Sequence, residues 1–155
     1  MNDGINLSGN ISWSLIGKNG DILDKGEIKN VITNYGKEWV AGILGGATTS
    51  VWLGAGTSIG PSAVVSANDS SLFQEISSSG YGYSRSITTK TVANNTIQYS
   101  AYITNITNPI TIREVGLLSS SSIGSTYLIA HQLIGQIPMG PTYMALQVSW
   151  TISLN

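Results

Sequence analysis

The chain has 155 residues, no cysteine, 18 glycines and only 10% charged residues, with a formal net charge of −1. This is the length of one domain, able to bury ~70% of the surface exposed on unfolding, so a core can form without staples. Lack of cysteine excludes disulfides, thiolate metal sites and cysteine nucleophiles, and no two basic residues are adjacent, which argues against phosphate and nucleic-acid binding. 

Ordinary soluble domains carry ~25% charged residues; here Ser, Thr, Asn and Gln take their place. Such a neutral polar surface fits faces buried against other subunits, the alternative being a low-charge extracellular monomer. The amino terminus, Met1-Asn2-Asp3-Gly4-Ile5-Asn6, has neither the basic nor the apolar region of a secretory signal. The longest apolar stretches, such as residues 39–44, fall short of the ~20 needed to cross a bilayer. The expectation is a chain kept in the cytoplasm or carried out of it within a particle.

Ile5, Leu7, Ile11, Trp13 and Leu15 alternate with Asn and Ser, the period of a strand with one buried face. Lys18-Asn19-Gly20-Asp21 supplies the hairpin turn. A charged return strand through Ile22, Leu23 and Ile28 completes a water-facing hairpin over residues 5–32. One short helix is predicted over 34–45. Thr33 or Asn34 caps it, Glu38 lies near its positive end, and Gly45-Gly46 stops it. Trp39, Val40, Ile43 and Leu44 form its apolar stripe.

Residues 51–57 read as a buried strand, and 58–71 as the longest irregular segment, anchored at its far end by Leu72, Phe73 and Ile76. From there the pattern is β throughout. Tyr81, Tyr83, Arg85 and Ile87 alternate, Asn94-Asn95 turns, and Ile97, Tyr99, Ala101 and Ile103 share a face. Strands follow at 110–118 and 127–134, with loops or turns at 119–122 and 138–141. Met144, Leu146, Val148, Trp150, Ile152 and Leu154 all point one way in the last strand, which is therefore central to its sheet. Eight or nine strands over 51–154 and the hairpin predict a single, mainly β domain: an antiparallel β-sandwich or jelly-roll-like barrel.

Chemistry-bearing residues are few. His131 is the only histidine, sits in a strand between Ile129 and Leu133, and reads as structural or interfacial; no Gly-x-Ser-x-Gly elbow accompanies it. One histidine without cysteine does not make the common zinc sets, and Asn19, Asp21 and Asp24 lack the ligands of a calcium loop. Gly54, Gly56 and Gly60 follow a strand, but Pro61 comes next and no helix opens there, unlike a phosphate-binding loop. No cofactor or metal is expected. Glu114 and Arg85 stand among apolar residues and are predicted to pair as a structural ion pair. A glycosidase-like reading of Glu114 would require Glu75 as its second acid. Tyr81, Tyr83, Tyr99, Tyr102, Tyr127 and Tyr143 could cover a sheet, an interface or a sugar-binding face.

Three stretches resemble small virion proteins of tailed bacteriophages and of related viruses, archaeal ones included. The first runs Asn30-Val31-Ile32-Thr33-Asn34-Tyr35-Gly36-Lys37-Glu38-Trp39. The second is Trp52-Leu53-Gly54-Ala55-Gly56-Thr57 with Pro61-Ser62, then Asn68-Asp69-Ser70-Ser71-Leu72 before Glu75. The third is Ile112-Arg113-Glu114-Val115-Gly116-Leu117-Leu118, followed by Val148-Ser149-Trp150-Thr151-Ile152. Leu118 stands where that family often has Phe, a difference of packing. The resemblance implies a virion structural component (capsid decoration, turret, spike, tail or fibre part) and no catalytic residue. 

On that reading the chain forms a homo-oligomer, a trimer first and a pentamer at a vertex, and meets other virion proteins. The expected contact residues are Ser58, Pro61, Asn68, Tyr81, Tyr83 and Tyr127. The alternatives are a carbohydrate- or receptor-binding module that meets host surface glycans, and a hydrolase that depends on His131 or Glu114.

Overall fold

The computed structural model describes residues 6–44, 50–57 and 63–155. Alternation sets the first hairpin. β1 (Leu7–Gly17) buries Ile11 and Leu15 and turns Ser8, Asn10 and Ser12 to the opposite face. At the turn Gly20 has φ +85°, a conformation that costs glycine little and other residues much. β2 (Ile22–Lys29) returns along an edge. Its Gly26 lets the Trp13 indole lie flat across the strand, since a Cβ there would come within 2.1 Å of the ring. 

After one residue the chain enters the second sheet as β3 (Val31–Ile32). Helix α1 spans Asn34–Leu44. Of the two predicted caps, Thr33 is the one used: its Oγ1 accepts the Gly36 N–H at 2.9 Å, while its hydroxyl donates to the Leu128 carbonyl. Glu38 falls beyond the first turn, which holds no acidic residue, so the dipole gains little from it. Trp39 and Val40 are buried as the stripe required. The expected stop at Gly45-Gly46 lies outside the described residues.

The remaining strands are β4 (Trp52–Gly56), β5 (Ser86–Ile87), β6 (Thr89–Ala93), β7 (Thr96–Thr104), β8 (Ile110–Leu118), β9 (Leu128–Met139) and β10 (Tyr143–Leu154). They form two five-stranded antiparallel sheets, in the orders β2-β1-β10-β7-β6 and β3-β9-β8-β4-β5. The fold is a mainly β sandwich. β10 lies in the middle of its sheet, where Leu146, Val148, Trp150 and Ile152 meet Leu53, Ile112, Leu117 and Ile129 in one core. Each such side chain contributes about 1.5–3 kcal/mol on burial. Helix α1 packs along β9, and its Trp39 reaches Tyr99 of the opposite sheet edge-on, with ring centroids 6.2 Å apart.

Three expectations change. Instead of a strand from Tyr81, the chain makes a helical turn, α2 (Ser78–Tyr81), closed by Gly82 at φ 78°; only Ser86 and Ile87 are extended. Met144 is 52% exposed. Gly17 pairs with Tyr143 and Ile16 with Ala145, so Met144 is the extra residue of a bulge and leaves the inward series. β9 runs on through Pro138 to Met139. Proline is accommodated there because β3 flanks only His131 and Ala130, leaving one side of β9 open at Pro138.

Candidate functional site

The outer face of the second sheet brings the motif residues together. In β8, Val115 and Leu117 enter the core, so alternation turns Glu114, Gly116 and Leu118 outward. Beside them in β4 lie Gly56, opposite Glu114, and Gly54, opposite Gly116. His131 of β9 lies opposite Gly116. The three glycines leave a trough, and the chain at residues 66–77 runs over it as a strap. Leu72 fills the trough with Leu118 and Leu128. A Cβ on Gly116 would meet Leu128 at 2.7 Å and Leu72 at 2.8 Å; one on Gly56 would meet Glu114 Oε1 at 2.0 Å.

Charge pins the strap at two points. Glu114 is fully buried. Its Oε1 accepts the Gln74 N–H at 2.7 Å, and its Oε2 accepts the Phe73 N–H at 3.0 Å. The same Oε2 is 2.8 Å from His131 Nε2, and His131 Nδ1 is 2.7 Å from Asp69 Oδ2. A neutral imidazole donates from one nitrogen only. Carboxylate oxygens stand on both sides of the ring, and the tautomer decides which of Asp69 and Glu114 receives its N–H. The Phe73 ring meets His131 edge-on at 4.7 Å.

The second pin is Arg85 with Glu75. The guanidinium donates from Nε at 2.5 Å and Nη2 at 2.8 Å to the two carboxylate oxygens. Its Nη1 reaches the Ser120 carbonyl and Ser125 Oγ, both at 2.7 Å, and so ties down the loop between β8 and β9. The predicted Arg85–Glu114 pair is thus corrected. Both residues are paired, but with Glu75 and with His131. Sequence parity could not choose among these partners, because the strap that delivers Asp69 and Glu75 has no periodicity.

The contact candidates separate. Tyr83 is buried and donates its hydroxyl to the Leu53 carbonyl at 2.8 Å, and burial pushes its phenol up to about 12; it is not a surface contact. Asn68 is exposed and accepts a hydrogen bond from Asn34 Nδ2. Tyr127 is exposed and stacks at a tilt on Tyr35. Tyr81 lines a groove of about 590 Å³ with Tyr143, Pro109, Pro138 and Pro141. Ser58 and Pro61 lie outside the described residues.

Chemically, this cluster is saturated. A Ser-His-acid arrangement needs one histidine nitrogen facing a nucleophile, whereas both nitrogens of His131 face carboxylates. A glycosidic acid must reach its substrate, whereas both Glu114 oxygens are engaged beneath the strap. Among the described residues no group of three His, Cys, Asp or Glu side chains is placed to hold a metal ion, and no helix is long and apolar enough to cross a membrane. Comparison of the chain with protein-family models, with curated proteins and with solved structures finds no match.

Proposed function

We propose that this chain is a structural subunit of a virion (a capsid decoration, turret, spike, tail or fibre part) acting through symmetric contacts with copies of itself and with other virion proteins. One observation carries the reading. The stretches that resemble virion proteins, from Leu53 to Thr57, Asp69 to Leu72 and Ile112 to Leu118, converge on the trough and strap. There their polar groups are taken up in hydrogen bonds within the chain. A site of this kind fixes the shape of a subunit. The low charge supports the same reading, since water-facing faces of a monomer normally carry more.

The test is the light-scattering mass of the purified protein over a range of concentration and salt. The expected result is a discrete oligomer whose mass is little changed by salt, because apolar and neutral polar contacts are not screened. A monomer under every condition counts against self-assembly.

The groove beside Tyr81 favours a second reading, a module that binds neutral saccharides such as host surface glycans. Its lining includes two tyrosines, three prolines, Thr111 and Thr142, and no charged residue; aromatic rings with nearby hydroxyls suit the apolar face and rim of a sugar. On a glycan array, binding should disappear in both Tyr81→Ala and Tyr143→Ala. Silence of the parent across a broad array removes this reading.

A further inference from the structure

The two outer faces of the sandwich are unlike. The second sheet is roofed by the chain's own strap, whereas the first has no described segment pinned across it. We infer that this bare face, made by β1, β10, β7 and β6, is a docking surface for a second copy of the chain, stacked face to face. The inference rests on the assembly reading above and names the surface that performs it.

The register shows what the face carries. One row across it reads Ser12, Ser149, Ser100 and Thr89; the next reads Asn10, Thr151, Gln98 and Thr91. Beyond the first row lie Ser14, Gln147 and Tyr102. No outward residue of these four strands is charged. The charges Lys25, Glu27 and Lys29 lie at the rim, on β2. Hydroxyls and amides both donate and accept, so two such faces can satisfy each other without desolvating an ion. Ser100 and Ser149 already do so within the face, with their hydroxyls 2.9 Å apart. Among these small polar residues Tyr102 is 49% exposed, the kind of aromatic anchor that dominates interface energies.

The area is sufficient. Four strands about 4.8 Å apart and about 30 Å long present about 600 Å² in projection. Two such faces reach about 1,200 Å², the lower bound of stable specific interfaces. Because like meets like, the contact has a two-fold axis, and copy number is even: a dimer, or a trimer doubled.

The experiment compares the mass of the parent with Ser149→Lys, Tyr102→Lys and, as a control on an exposed loop of the other sheet, Ser121→Lys. Circular dichroism and urea midpoints confirm that each variant is folded. The expected result is an even-numbered parent. Each face variant should self-associate about a hundredfold or more weakly, since the two-fold axis brings each new charge in twice, and the control should match the parent. An oligomeric parent whose mass is untouched by both face variants overturns the docking surface and leaves the assembly reading standing. A parent that is monomeric throughout overturns both.

Discussion

Glu114→Ala lowers the free energy of unfolding by about 3–5 kcal/mol, the range for removing one partner from a buried charged group. Three groups lose their partner together: the Phe73 and Gln74 amides, which donate to it, and His131 Nε2. Glu114→Gln should cost less, about 1–3 kcal/mol. Its amide oxygen can replace Oε1 for Gln74, and its NH2 can donate to His131 Nε2 where the ring N–H is on Nδ1, leaving the Phe73 N–H unsatisfied. Urea denaturation gives the two midpoints. Hydrogen exchange supplies the local readout: the Phe73 and Gln74 amides should lose protection in both variants before the core strands do. Parent-like exchange at those amides in Glu114→Ala would show that something else holds the strap.

The second large effect is at Gly36. Helix propensity alone favours alanine over glycine by about 1 kcal/mol. Here a Cβ would stand 2.0 Å from the Ile129 carbonyl oxygen and 2.9 Å from its carbon. Both atoms are backbone of β9, so no side-chain rotation relieves the clash, and α1 must lift away from the sheet. Gly36→Ala should destabilise by about 3 kcal/mol or more, lowering Tm by about 6–12 °C at roughly 2–4 °C per kcal/mol for a domain of this size. Gly42, in the same helix, has nothing within 4 Å of its Cβ position. Gly42→Ala should therefore stabilise by about 0.5–1 kcal/mol. Equal responses at the two sites would refute the close-approach argument.

Wherever a local pattern faces a single environment, the sequence was legible. Alternation in β1, β7 and β10 marked strands because each has one face in the core. Asn19-Gly20 marked the hairpin because its φ requirement is local. A cap at Thr33 or Asn34 and the burial of Trp39 and Val40 in α1 were legible for the same reason. Legibility failed where alternation arose without a sheet to sustain it, at residues 81–87, and where pairing inserted a bulge, at Met144. Both depend on the strands opposite, which no window of sequence contains.

Read alone, the sequence established the class of fold, the central place of the last strand, a helix that starts at Asn34 and the scarcity of reactive groups. It also showed that Glu114 and Arg85, set among apolar residues, needed partners, since an unpaired buried charge costs several kcal/mol. Their partners were set by the fold. Asp69 is 62 residues from His131 and Glu114 is 40 from Gln74, joined by an aperiodic strap whose path is set by three missing Cβ atoms. The same holds for the neutral face. Its Ser and Thr residues are visible in the composition, but their alignment into uncharged rows is a property of register, which long-range pairing of four strands alone establishes.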